Sequence, residues 1–338
     1  MSGWQEAKEW AAPELDEEQR KRLQTKVCPA CSREFEGFFV LCPTDQLQLN
    51  EIPPPAGPLS KIYEPEAKIG VGNLFEVYEG KNTDSGEKVV IKAVRRDIQC
   101  EQRSMKSFER EQMIASGLKH KNIATIFGFG SLPQQYSLRP YIVTEYVNGI
   151  SLATALERWG ACDDGKIAAQ LMEQICDAFE NAQMFGAVHG DLKPNNVYVF
   201  ADGDQRLVKV VDFAISRRSF PSETDTRYGA GSSPQSLSSS FYTAPELAKT
   251  NVPSAASDVY AIGCLLYELL AGRTPFAGTT AFELSYAHEK DDPAPLSDSV
   301  NISSDLRDSI MQCLSKDPQQ RPKTLSQLKS ASSSTAAQ

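Results

Sequence analysis

The run His189-Gly190-Asp191-Leu192-Lys193-Pro194-Asn195-Asn196 constrains this chain more than any other stretch. It places a carboxylate, a cation and a side-chain amide close together between apolar segments. Sixteen residues after Asn196 stands Asp212, behind the largely apolar run from Leu207 to Val211 and ahead of Phe213-Ala214. One such Asp could be a helix cap or a surface turn. The ordered set is harder to explain that way. A carboxylate near an attacking hydroxyl, a cation near a moving anionic group and oxygen ligands for magnesium are what phosphoryl transfer requires.

Upstream, Gly70-Val71-Gly72-Asn73-Leu74-Phe75-Glu76-Val77 lies between two strand-like runs. Glycines let backbone amides approach phosphates closely, although ordinary turns carry the same pattern. Lys92 follows on Lys88-Val89-Val90-Ile91-Lys92, where a lysine on an otherwise apolar strand must reach a partner or solvent. Together these residues resemble the protein kinase family, in its eukaryotic-like Ser/Thr branch of bacterial type, over roughly residues 63 to 329. A lysine at position 193 is similar to the Ser/Thr branch.

The resemblance implies an α+β, two-lobed protein-kinase-like fold, with a small antiparallel β lobe bearing one helix and a larger, mainly helical lobe. It implies ATP and Mg2+ as cofactors and protein Ser/Thr hydroxyls as acceptors, those of its own activation segment among them. Asp191 would accept or orient the hydroxyl proton, and Lys193 would stabilise charge on the transferred group. Asn196 and Asp212 would hold magnesium through hard oxygens. Lys92 would pair with Glu111, with Glu109 as the alternative, against the phosphates. Gly70, Gly72 and Val77 would cover the nucleotide. The backbone of Glu145 and Val147, after Thr144, would pair with adenine. Glu246 in Ala244-Pro245-Glu246 would pair with Arg321, and Asp258 would brace the catalytic loop; these three read as structural.

The chain departs from the family pattern at three places. Phe75 stands where a third glycine is usual, near the expected loop tip, which predicts an altered lid. Gly190 replaces the arginine that commonly precedes the catalytic Asp and pairs with an activation-segment phosphate. Ala214 replaces the glycine after Asp-Phe. None of these changes removes a ligand, so an active enzyme is expected. The alternative is a nucleotide-binding pseudokinase acting as a signalling scaffold. Residues 212 to 246 also hold Ser219, Ser222, Thr224, Thr226, Ser232, Ser233, Ser236, Ser238, Ser239 and Ser240, a composition of autophosphorylated loops and equally of plain flexible ones.

Ahead of the kinase-like part, Cys28-Pro29-Ala30-Cys31 and Cys42-Pro43-Thr44-Asp45 form two knuckle-like turns. Such turns can arrange four ligands tetrahedrally around Zn2+, here three thiolates and the Asp45 carboxylate. The stretch resembles a short zinc ribbon. A hydrophobic turn built on Phe35, Phe38 and Phe39 would explain it without metal. A unit of about 24 residues could hardly fold without metal or a partner.

The expected division is a charged segment over 1–26, a ribbon-like module over 27–50 and a Pro-rich linker over 51–62. A kinase domain follows over 63–329 (small lobe 63–146, large lobe 150–329), then a disordered tail over 330–338. A helix opened by a proline is expected from Pro13 to Leu23. Trp4 and Trp10 are unusual in so charged a segment and suggest docking. The N-terminal module could support self-association or partner docking. The net charge of −9 argues against nucleic acid. No long uncharged apolar run predicts a membrane span, and no leader is evident at the start. Of eight cysteines, the last five are scattered among apolar segments, which suits a reducing, cytoplasmic setting.

Overall fold

The computed structural model describes residues 4, 10, 15–55, 58–72, 74–98, 100, 102–134, 137–202, 205–213, 234–297, 300 and 302–336. The expectations placed on Asn73, Ala214, Ser219, Ser222, Thr224, Thr226, Ser232 and Ser233 lie outside the described residues. The chain forms two compact units. A smaller one comprises Pro13–Glu109 and Ile126–Tyr146, and a larger one comprises Met1–Ala12, Arg110–Thr125 and Val147–Gln338.

The smaller unit begins with helix α1 (Glu17–Leu23). Its N-terminus is set by Asp16, not by Pro13. The Asp16 carboxylate accepts from Gln19 N, and the Gln19 side chain accepts from Asp16 N, a reciprocal capping box that satisfies two otherwise orphaned donors. Strands β1 (Thr25–Val27), β2 (Glu34–Glu36) and β3 (Asn50–Glu51) then form a small antiparallel sheet in the order β2-β1-β3. Gly37 lies against the end of α1. A Cβ there would sit 1.8 Å from the Lys21 carbonyl oxygen, so only glycine permits this approach.

Next come β4 (Tyr63–Val71), β5 (Phe75–Asn82), β6 (Lys88–Val94), β7 (Ile126–Gln134) and β8 (Ser137–Glu145), in one antiparallel sheet of order β4-β5-β6-β8-β7. Alternation along β6 sends Val89, Ile91 and Ala93 to one face and Lys92 to the other. Leu59, on a short 3-10 turn over Pro58–Lys61, is buried with Tyr78, Val89, Ile91, Leu132 and Val143 in one cluster. The linker is therefore part of the core on that face, and not merely a spacer. Helix α2 (Gln102–Ser116) follows β6. Phe75 is not at an exposed tip; it opens β5 opposite Val94 and is buried.

In the larger unit, β9 (Ile150–Ser151) leads into α3 (Leu152–Trp159) and α4 (Gly165–Met184). The Asp164 carboxylate accepts from Lys166 N and Ile167 N to start α4, which buries Ile167, Leu171, Ile175, Ala178 and Phe179, the stripe its spacing predicts. The hairpin of β10 (Val197–Asp202) and β11 (Gln205–Val210) comes next. Helices α5 (Pro234–Ser240), α6 (Pro245–Thr250), α7 (Ala255–Ala271), α8 (Ala281–Lys290), α9 (Ser304–Cys313) and α10 (Ser326–Ala336) complete it. Nearly every side chain of α7 is buried, as expected of a central helix apolar all round.

Trp4, Trp10 and the helix near the other end of the chain belong to the larger unit. Trp4 and Trp10 are buried against Trp159, with ring centroids 4.7 to 5.7 Å apart, and the Arg206 guanidinium lies over the Trp10 ring. The tryptophans thus dock on the chain itself. The Ser/Ala-rich end is helical as far as Ala336, contrary to the disorder expected, because Leu325, Leu328 and Ala331 bury there. Lys329 adds ion pairs to Asp177 and Glu180 of α4. Among the described residues no helix is long and apolar enough to cross a membrane.

Candidate active site and metal centre

The β10/β11 hairpin explains how residues sixteen apart in sequence come together. Pairing of Val197 with Val210 brings the two strand ends side by side, and Val211 N donates to Asn196 O at 2.9 Å. The catalytic-loop candidates thus precede one strand and Asp212 follows the other. Lys193 Nζ donates to Asp191 Oδ2 at 2.9 Å and to Ser239 Oγ at 2.8 Å. Asn196 Nδ2 donates to Asp191 O at 2.9 Å, which leaves the amide oxygen as that side chain's acceptor. Asp212 holds φ = 66°, a left-handed conformation uncommon for a residue with a Cβ and frequent at functional sites.

The loop is held from below by buried groups. Asp258 Oδ2 accepts from His189 N at 2.8 Å and Oδ1 from Gly190 N at 2.9 Å. Burial pushes the Asp258 carboxyl up to about 7, against the pull of these two donors. Burial likewise holds His189 below the usual histidine range, so the neutral ring predominates at pH 7. Its Nε2–H then donates to Val211 O at 2.9 Å, and Nδ1 accepts from Asp191 N at 3.3 Å. Phe179 and Phe213 both pack against that ring and against each other. Gly190 lies at φ = +76°, and a Cβ there would meet Pro253 at 3.0 Å. Arginine at this position would therefore be strained by the backbone it inherits.

Glu246 and Arg321 form the anticipated pair. Arg321 Nη1 and Nη2 donate to the two carboxylate oxygens at 2.6 and 2.8 Å. The same guanidinium donates to the carbonyls of Ser315, Ala256 and Lys316 and stacks on Tyr260. Its charge is fully committed in a buried setting.

In the smaller unit, Gly70 and Gly72 lie at the β4–β5 turn, closed by Gly72 N donating to Phe75 O at 2.7 Å. Neither needs glycine for its own fold. Their φ values are ordinary and a Cβ would find only ordinary contacts, at 3.6 Å or more. Lys92 pairs with Val77 on one side and Ile142 on the other, so Val77 and Lys92 share a sheet face. Glu145 closes β8 opposite Val89, and Val147 O accepts from Gly149 N. On the part of α2 that belongs to the larger unit, Glu111 is half-buried, and one of its carboxylate oxygens is shielded from solvent; Glu109 is exposed. Exposure therefore favours Glu111 over Glu109.

The two cysteine turns repeat each other bond for bond. Cys28 N donates to Arg33 O and Ser32 N to Cys28 O; Cys42 N donates to Leu47 O and Gln46 N to Cys42 O. Ser32 and Gln46, each four residues after a cysteine, both take left-handed φ, at 58° and 54°. This duplication brings Cys28, Cys31, Cys42 and Asp45 together, with all ligand atoms within 4.8 Å of one another. Cys31 Sγ and Cys42 Sγ are 3.7 Å apart, far from a disulfide. That separation is near the roughly 3.8 Å edge of a zinc tetrahedron with Zn–S of about 2.3 Å. Cys28 Sγ and Cys42 Sγ each lie 3.2 Å from Asp45 Oδ2. Burial pushes the Cys28 thiol up to about 11. At Cys42 burial is outweighed by the N–H groups of Asp45 and Thr44, and the thiol is lowered. The donor set fits a structural metal ion.

Sequence reasoning missed Ser239 as a partner of Lys193. It was one of twelve Ser and Thr residues in the segment, and its position five residues before Ala244-Pro245-Glu246 was the available signal. It also missed the burial of the ionic side chains of Lys68, Glu76, Arg139 and Arg206.

The family model described as protein kinase domain matches residues 63–332. Similar proteins include the probable serine/threonine-protein kinase PknB of Corynebacterium glutamicum, 30% identical over 275 residues, covering 79% of this chain and 41% of that protein. The serine/threonine-protein kinase PknB of Mycobacterium leprae is 31% identical over 272 residues, covering 80% and 42%. That of Mycolicibacterium smegmatis is 29% identical over the same length, again covering 80% and 42%. The chain thus spans about two-fifths of the length of the curated relatives it matches. With a β-sheet unit, a helical unit and a matching model over most of its length, the chain belongs to the protein kinase domain family.

Proposed function

We propose that this chain is an ATP-dependent serine/threonine protein kinase, transferring the γ-phosphoryl group of ATP to protein Ser/Thr hydroxyls, including its own. The observation that carries the reading is the bonded group Asp191–Lys193–Asn196, with Ser239 on Lys193 and Asp212 delivered beside Asn196 by the hairpin. Asp191 would orient the attacking hydroxyl and take its proton. Lys193, steadied by two acceptors, would place its charge against the transferred group. Asn196 through its amide oxygen and Asp212 through its carboxylate would hold Mg2+, which when bound neutralises phosphate charge. Lys92 with Glu111 would fix the α- and β-phosphates, and the backbone at Glu145 and Val147 would receive adenine. Glycine at 70 and 72, where the fold itself has room for a Cβ, supports close approach by a ligand at that turn, with Val77 beside it. The pseudokinase alternative has less support, because every ligand and acid–base residue is present.

Cys28, Cys31, Cys42 and Asp45 would hold one structural Zn2+, which ties the two turns together; no open catalytic position is implied. Free thiols at all eight cysteines suit the cytoplasm as the compartment. Exposed Phe38, Val40, Leu41 and Leu47 support a docking role for the module, tested by the solution mass of the chain with and without residues 1–58. The kinase reading is tested by Lys92→Ala and Asp191→Asn, each expected to abolish transfer to a generic protein acceptor while the melting temperature holds. Unchanged turnover in both would overturn it.

A further inference from the structure

Among the described residues of the smaller unit, three ionic side chains outside the set assigned to the active site and the cysteine turns are buried. They are Lys68 on β4, Glu76 on β5 and Arg139 on β8. Lys68 and Glu76 flank the glycine turn, and Lys68 Nζ donates to Glu76 Oε1 at 2.5 Å. Glu76 Oε2 accepts from the Arg139 guanidinium and, at 3.1 Å, from Tyr78 OH. Arg139 Nε donates to Val94 O at the end of β6. Two cations thus share one carboxylate. Burial alone would raise the Glu76 carboxyl, but Lys68, Arg139 and Tyr78 together hold it below the usual range.

Strand alternation fixes the location. Glu76 and Tyr78 lie on the sheet face opposite Val77 and Lys92. The cluster therefore backs the strands whose other face carries the proposed nucleotide residues. Its third side is closed from outside the sheet. Lys68 Nζ also donates to Thr25 Oγ1 at 2.6 Å, and Thr25 is on β1, the central ribbon strand, three residues before Cys28. Nearby, Thr25 O accepts from Ile52 N at 2.8 Å and Arg96 donates to Pro53 O. Hydrogen bonds thus run from Thr25, three residues before Cys28, through Lys68 to Glu76, four residues after Gly72.

We propose that Lys68 and Glu76 are positioning residues for the nucleotide-binding turn, and that the metal-loaded ribbon sets their position through Thr25. This rests on the zinc reading proposed for the cysteine turns. A ribbon without metal loses the constraint that orders its turns, and so the acceptor that holds Lys68. Buried ions of this kind contribute little net stability but fix one arrangement of their neighbours. The consequence falls on nucleotide affinity, because the catalytic loop is built from other elements.

The test uses the full chain, its zinc content measured by mass spectrometry, titrated with a fluorescent ATP analogue and Mg2+ before and after a zinc-selective chelator. Zinc removal should weaken binding about tenfold, within the usual range of coupling between sites, and raise KM more than it lowers kcat. Thr25→Val should retain one zinc while its affinity no longer responds to the chelator. Glu76→Gln should raise KM with zinc in place. A chain that retains zinc, yet binds nucleotide equally before and after stripping, overturns the coupling and leaves the metal site standing. A Thr25→Val chain that still responds to stripping also overturns it. A wild-type chain that holds no zinc overturns the metal reading and the coupling together.

Discussion

At the residue scale, the site depends on side chains with more than one partner. Lys193 is held by Asp191 and Ser239, so its direction is set before any substrate arrives. Ser239→Ala should lower kcat by about tenfold to a hundredfold, the worth of one hydrogen bond to a charged group, with KM little changed and Ser239→Thr restoring the rate. Steady-state kinetics on the three proteins checks this; equal kcat in wild type and alanine variant would show that Asp191 alone directs Lys193. The candidate set was legible because Asp191, Lys193, Asn196 and Asp212 have no bland role in common. Ser239 was not, because a serine among serines carries no local signal. Lys68 and Glu76 were equally silent, since a charge on a strand usually marks a solvated face. The partner that Lys68 finds, Thr25, is distant in sequence.

At the element scale, α6, α7 and the segment ending in Arg321 are joined by a buried ion pair. Glu246→Ala would leave Arg321 charged and buried and should cost about 3–5 kcal/mol. Chemical denaturation should show this as a lower midpoint with an unchanged slope. A second link joins α7 to α8, where Tyr260 OH and His288 Nδ1 are 2.7 Å apart. Burial, assisted by the Lys316 charge, depresses His288 to about 4. The unfolded chain binds that proton near pH 6.5 and the folded chain only near 4, so stability is lost as pH falls through this window. The interval corresponds to roughly 3 kcal/mol at full extent. His288→Asn should flatten the fall in melting temperature between pH 6.5 and 4; an equally steep fall would assign the acid sensitivity to carboxylates. Element types were readable from periodicity, as in α4. Their ends were not: Asp16 displaced Pro13 as the cap of α1, and three buried apolar side chains drew the tail into α10.

At the scale of the whole molecule, the kinase domain carries two N-terminal attachments with different anchors. The tryptophan pair docks with Trp159 in the larger unit, and the ribbon is bonded to β4 of the smaller. Composition announced both segments as unusual but could not say where they pack, because docking on one's own chain and docking on a partner use the same exposed-looking residues. The central claim remains that the assembled residues transfer phosphate. Its most direct test is intact-mass spectrometry after incubation with Mg-ATP, beside Asp191→Asn. Steps of about 80 Da, one per added phosphate, should accumulate in the wild type and be absent from the variant. A wild type that binds ATP, yet gains no mass and labels no generic protein acceptor, would contradict the account.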